Sequence, residues 1–254
     1  VILLLLGIVL TFTTVAPIVA IVEDTFKIHA GTIDAHLTGM TSGFTTVNYT
    51  DLFTSRMAKT NLWNPLLNTV LLSTMVGAVQ TIVCAVVGYG FAKFRFKGNG
   101  ALFFFVILML VVPPQTILVP LFTKFRFFLG SINLIDTPLP MLIMGLTCTG
   151  FKNGLYVFLF RQFFRNVPTE LNEAASLDGY GPYRTFLHIM IPTAIPMLTT
   201  VFLLSFSWQW TDTLYNSLFF KNTPLLANTV SAVAAGELRA VAGNLTNAAA
   251  LLAV

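Results

Sequence analysis

Few residues in this chain are equipped for chemistry, and most of those that are interrupt apolar sequence. Lys152 and Asn153 lie inside such a run, within Gly150-Phe-Lys-Asn-Gly154. A charge embedded in apolar sequence is costly and is functional by default. Gly150 and Gly154 stand at the spacing that lets one helix face pack closely on another, which puts Lys152 on the opposite side. Three readings stand for it. It lines a path and meets the hydroxyls or carboxylate of a polar solute, or it pairs with an acid or carbonyl of a partner, or the run is broken at that point. Trp208 and Asp212 are four residues apart and share a helix face. A flat ring beside a carboxylate suits a saccharide, the ring packing on C–H faces and the carboxylate accepting hydroxyl hydrogens. The same pair also suits an interfacial aromatic belt with Asp212 in water. Gln80 and Gln115 are the further polar candidates. Gln115 follows Pro113-Pro114, a pair that kinks or interrupts a helix, and breaks of that kind at membrane depth line cavities.

Other chemistries find no support. A nucleotide-hydrolysing loop needs Gly-x-x-x-x-Gly-Lys-Ser/Thr, and the sequence contains no Gly-Lys dipeptide. No Ser/His/Asp or Cys/His arrangement can be assembled, and His29, His36 and His188 read as solvated or packing residues. Cys84 and Cys148 sit in separate apolar runs, which excludes a disulfide framework and metal-ligand spacing; both read as small buried hydrophobes. We therefore expect no catalytic residue, no metal ligand and no cofactor held by this chain.

The elements that position these residues follow from composition. Of 254 residues, 24 are charged (14 Lys plus Arg and 10 Asp plus Glu), or 9 %, and 56 % are hydrophobic. A soluble domain carries roughly 25 % charged residues, so this chain lacks the charge to cover its outside in water. Its basic residues are scattered, which excludes a nucleic-acid stripe. A bilayer core needs about 20 apolar residues per helix. Apolar runs fall at 1–22, 65–91, 101–122, 138–160 and 191–214, and a sixth starts at 245 and reaches 254. The expectation is one all-α, polytopic membrane domain over 1–254, with six transmembrane helices, the sixth truncated. The first run lacks a basic leader and a small-x-small cleavage site, and is read as a span. The connections at 92–100 and 161–190 hold Lys93, Arg95, Lys97, Arg161, Arg165 and Arg184 and are about twice as dense in basic residues as the opposite ones, which places them in the cytoplasm.

The connection 161–190 differs from the rest. Thr169 can cap a short helix over 170–177, with Glu170 and Glu173 in its first turn, where the helix dipole favours them. Gly179 stands where a left-handed cap falls, and Pro182 where a second helix starts. Leu171, Ala174 and Ala175 form a small-residue face. The product is a helix–turn–helix with a small, acidic exposed face, suited to docking.

Glu173-Ala174-Ala175, then Asp178-Gly179, then Ile189-Met190-Ile191-Pro192 resembles the EAA signature of bacterial ATP-binding-cassette (ABC) import permeases. The family pattern has Leu where this chain has Ile191. Asp178 before the glycine, Phe186, and Pro192 with Pro196 resemble the carbohydrate-uptake branch, and most closely the second permease subunit of maltose-type systems. That branch often has Ala where Tyr180 stands. The resemblance extends from about Asn68 to Phe220. It implies that Glu173, Ala174, Ala175, Asp178, Gly179, Ile189 and Pro192 form a coupling helix and its surroundings, seated on a cytoplasmic ATPase, with Glu173 facing a basic residue there. It further implies a homologous permease subunit as heterodimer partner, two ATPase subunits that hold ATP and Mg, an extracellular or periplasmic solute-binding protein, a sugar substrate, and residence in the bacterial cytoplasmic (inner) membrane among its lipids. A non-sugar import permease is the nearest alternative, which the Asp178-Gly179 form argues against. A secondary transporter or channel would not need the docking loop, and a membrane enzyme would need a catalytic cluster.

Overall fold

The computed structural model describes residues 2–26, 62–150 and 152–234, with single positions at 43, 44, 46 and 53. Among the described residues regular structure is helical, apart from an isolated bridge between Phe128 and Ile132. Two compact units emerge, one of residues 1–69 with 223–254 and one of residues 70–222.

In the first unit, helix α1 (Ile2–Phe26) matches the first expected run. Leu4, Val9, Phe12 and Ile18 are all exposed on it, so it is apolar all round, the pattern of a helix that does not face water. Helix α2 (Trp63–Lys93) starts in this unit and continues in the second. Near its start the buried Thr69 hydroxyl donates to Pro65 O (2.7 Å) and accepts from Leu226 N (2.9 Å), while Asn68 Nδ2 donates to Pro224 O (3.1 Å). These bonds fix the entry to α11 (Leu226–Ala234). The run expected at 245–254 lies outside the described residues.

In the second unit the expected spans are interrupted. At 31 residues α2 is the one described helix long and apolar enough to cross a bilayer, with a length of about 46 Å at 1.5 Å per residue. The run 101–122 divides into α3 (Asn99–Leu108), a 3₁₀ turn (Pro114–Ile117) and α4 (Leu118–Arg126). The cause is Pro113-Pro114: neither has an N–H to donate, and Pro113 is extended at ψ 128°. The run 138–160 divides into α5 (Leu139–Leu146) and α6 (Asn153–Asn166). After α7 (Thr169–Leu177) comes α8 (Pro182–Thr193), which is α-helical to Thr185, π-helical over Phe186–Met190 and closed by one further turn. It meets α9 (Ile195–Thr211) at a bend of 75°, and if that pair is one broken span there are two crossing elements. Helix α10 (Leu214–Phe219) ends the unit. Of the six expected spans, the first two are each a single helix, the next three are interrupted, and the sixth lies outside the described residues.

Helix α6 shows why this unit holds together. Asn153, Tyr156, Val157, Phe160 and Phe164 are buried at three- and four-residue intervals, the stripe of a helix with one packed face. Its apolar members pack with Cys84 and Ala85 of α2, Met190 of α8 and Val201 of α9 in one cluster.

Candidate functional site

The break between α5 and α6 organises the polar residues. Thr149 N and Gly150 N both donate to Met144 O at 3.0 Å, and Cys148 N donates to Gly145 O. Asn153, fully buried, aims Nδ2 at Met144 O (3.5 Å) and Gly145 O (3.4 Å). Carbonyls that α5 leaves open at its end are satisfied in this way. The chain turns by placing Cys148 (φ 53°) and Lys152 (φ 69°) in the left-handed region, which costs a residue with a side chain about 1–2 kcal/mol. Lys152 is therefore not in mid-helix: it occupies the N-cap position of α6, with no side-chain capping bond. Gly150 and Gly154 do not share a helix face as their spacing suggested, because Gly150 lies in the break. They make separate close approaches: a Cβ on Gly154 would sit 2.6 Å from Val106 O of α3, and one on Gly150 would sit 3.1 Å from Gln80 Nε2 of α2.

Two cavities border this break. A small one of about 30 Å³ is lined by Gln80, Gly150, Tyr156, Ser205, Trp208 and Asp212 among others. At about 10–15 Å³ per water it has room for two waters and none for a sugar. A larger one of about 340 Å³ is lined by the double-proline segment, Thr149, Gly150, Lys152 and Tyr215; ligand pockets start near 300 Å³. The Lys152 ammonium stands 4.5 Å over the Trp208 ring, a cation–π contact. Gln80 Oε1 accepts from Ser205 Oγ, joining α2 to α9. Gln209 Nε2 donates to Asn216 Oδ1 at 3.1 Å. Asp212 does two things. Its Oδ1 accepts from Leu214 N (3.1 Å) and Tyr215 N (3.4 Å) and so caps α10, while its buried Oδ2 accepts no hydrogen bond among the described residues. Asn153 Oδ1 is in the same condition. Buried acceptors left open in this way need a donor, and a hydroxyl-bearing solute or water is one.

Gln80, Lys152, Trp208 and Asp212 thus line these cavities of the second unit, while the fully buried Asn153 serves the break beside them and lines neither. Gln115 is exposed in the 3₁₀ turn and also lines neither cavity. Ser205 and Gln209 were missed, although with Asp212 they fall at i, i+4 and i+7, a polar stripe readable in the apolar helix.

The second candidate surface is the connection around α7. Pro168, rather than Thr169, occupies the N-cap position, and no side chain caps the helix. Its end is closed by Gly179 at φ 78° and by Tyr180 N donating to Ala175 O at 2.8 Å, the glycine cap that the sequence indicates. Pro182 opens α8. Ala175 is buried, whereas Leu171, Glu173, Ala174, Leu177 and Asp178 are exposed, Leu177 at 90 %. Ile189 lies in the π-helical stretch and Pro192 in the turn before the 75° bend. A bent, irregular helix follows the loop, and an exposed helix with a small acidic and apolar face projects from it.

Residues 64–254 match the family described as binding-protein-dependent transport system inner membrane component. The chain belongs to this family. Its members are integral to membranes. Among curated relatives, a probable ABC transporter permease protein of Pyrococcus horikoshii is 32 % identical over 146 residues, covering 57 % of this chain and 50 % of that protein. The probable starch degradation products transport system permease protein AmyC of Thermoanaerobacterium thermosulfurigenes is 26 % identical, covering 84 % and 73 %. The arabinooligosaccharides transport system permease protein AraQ of Halalkalibacterium halodurans is 28 % identical, covering 60 % and 52 %. The chain spans about half the length of several curated relatives it matches. In fold it is similar to a chain of a bacterial ABC transporter involved in importing the acidic polysaccharide alginate, with TM-score 0.74 at 20 % identity, covering 98 % of this chain and 88 % of that one.

Proposed function

We propose that this chain is a permease subunit of an ABC importer for a sugar or oligosaccharide, in the bacterial cytoplasmic membrane. The observation that carries this is the exposed helix α7 with its glycine cap, bearing Glu173-Ala174-Ala175 and Asp178-Gly179 in a family member. Relatives named for starch degradation products, lactose and arabinooligosaccharides support a sugar. In this reading α7 docks on a cytoplasmic ATPase, of which there are two, and these bind ATP and Mg. A homologous permease supplies the other half of the path, and an external solute-binding protein delivers the sugar. The chain itself moves solute and hydrolyses nothing.

The path in this chain runs past Lys152, Asn153, Trp208, Asp212 and Gln80. The 340 Å³ cavity admits a sugar ring, whereas the 30 Å³ one must open, by parting the Gln80–Ser205 contact, before a sugar enters. The test is ATP-dependent uptake by the chain co-expressed with its neighbouring transport genes and reconstituted in vesicles. Probes are radiolabelled maltotriose, arabinotriose, lactose and sn-glycerol 3-phosphate. Uptake of a saccharide that stops when ATP is withdrawn supports the reading, and uptake of all probes unaffected by ATP refutes it.

A further inference from the structure

Helix α2 ends against both ends of the α7 connection. Lys93, its last residue, donates from Nζ to Val167 O at 2.9 Å. Val167 is buried, closes α6 and lies two residues before α7. One turn earlier on the same face, Tyr89 packs edge-on against Phe164 of α6 (5.4 Å) and at 4.7 Å against Phe186 of α8, on the far side of α7. A single turn of α2 therefore grips the entrance of the connection through Lys93 and its exit through Tyr89. The carbonyl that Lys93 takes is at a helix C-terminus, the end that favours a cation. The grip is backed by backbone contact: a Cβ on Gly88 would stand 2.5 Å from Phe160 Cβ and 3.0 Å from Arg161 N, so α2 and α6 meet with no room between them.

The same helix carries Gln80, 13 residues back, about 20 Å along its axis, where it bonds Ser205 of α9 at the small cavity. Val167 O, Lys93 Nζ, α2 and the Gln80–Ser205 contact thus form one connected route from the foot of α7 to the small cavity. Coupling of this kind travels through packed rigid elements joined by specific bonds.

We propose that Lys93 is a positioning residue that ties the docking helix α7 to α2, so that motion at α7 reaches the Gln80–Ser205 contact through α2. The proposal rests on the importer reading above. It is tested in the complete reconstituted transporter by measuring uptake of the saccharide probe that scores above, and ATP hydrolysis, on the same vesicles. Lys93→Met removes the donor and keeps the length. Solute moved per ATP hydrolysed is expected to fall at least about tenfold. Lys93→Arg, which keeps a charged donor, is expected to restore it to within about twofold. A purely structural role would lower uptake and hydrolysis in proportion and leave the ratio unchanged. A Met variant with the wild-type ratio overturns the proposal. Should the Met variant not assemble, Lys93→Gln is read in the same way, since its shorter amide stays polar yet does not reach Val167; an unchanged ratio there overturns the proposal equally. Absence of ATP-dependent uptake by the wild type overturns the importer reading instead, so the two failures are told apart.

Discussion

Replacing Gly88 by alanine sets a new methyl carbon 2.5 Å from Phe160 Cβ, 3.0 Å from Arg161 N and 3.2 Å from Phe160 C. Carbon atoms rest at about 3.5–4.0 Å, so α2 and α6 must separate locally by about 1 Å. The obstructing atoms are backbone and a Cβ, which no rotamer change moves. Overpacking of this kind costs about 1–3 kcal/mol. Gly90, two residues along the same helix, supplies the control, because a Cβ there meets nothing within 4 Å. Both substitutions gain the same helix-propensity term, about 0.5–1 kcal/mol, so it cancels in the comparison. Gly90→Ala is expected to be neutral or stabilising, and Gly88→Ala to be less stable than Gly90→Ala by about 1–3 kcal/mol. The assay is equilibrium unfolding of the purified full chain in mixed micelles with increasing dodecyl sulfate, followed by circular dichroism. Stabilities that agree within about 0.5 kcal/mol, the spread of surface substitutions, would refute the close crossing and with it the rigid α2–α6 unit.

Three further outcomes follow from the site. Glu173→Lys reverses the charge on the exposed face of α7, and Gly179→Pro destroys its left-handed cap; both are expected to leave ATP hydrolysis uncoupled from uptake, and normal uptake in both would sink the docking assignment. Asp212→Ala removes the cap on Leu214 N and Tyr215 N and should cost about 1 kcal/mol, whereas Asp212→Asn keeps the capping oxygen and should lower uptake at unchanged stability; equal uptake by Asn and wild type would leave Asp212 a cap alone. Lys152→Gly relieves a left-handed residue and should match or exceed wild-type stability by about 1 kcal/mol while uptake falls, and retained uptake would remove Lys152 from the path.

What the sequence disclosed depended on whether the deciding interaction is local. The α7 connection was legible almost residue by residue, since Gly179 and Pro182 act on their own backbone and the structure places both where local rules put them. Even there Thr169, a capping residue by type, is pre-empted by Pro168, which starts the turn one residue earlier. Span continuity was less legible. Apolar runs report what a segment avoids, not whether its hydrogen bonds continue. The break between α5 and α6 is spanned by Asn153 reaching back to two carbonyls, a contact that hydropathy does not encode. The break at Pro113-Pro114 was visible for the opposite reason: a missing N–H is a property of the residue itself.

The basic residues show how one feature can serve two constraints. In the expected topology Lys93 counts among the positive charges that set orientation across a membrane, and a lysine anywhere between 92 and 100 would serve that equally well. Orientation does not account for its burial. Arg95 and Lys97 share the same connection and are exposed, while Lys93 is half-buried and aimed at Val167 O. A topological charge has no reason to leave water. The cost of partly burying an ammonium is offset here by a backbone carbonyl at a helix end, a partner available only where α6 stops and the α7 connection starts. Charge density therefore predicts the side of the membrane for all three residues, and burial singles out the one whose position carries force between elements.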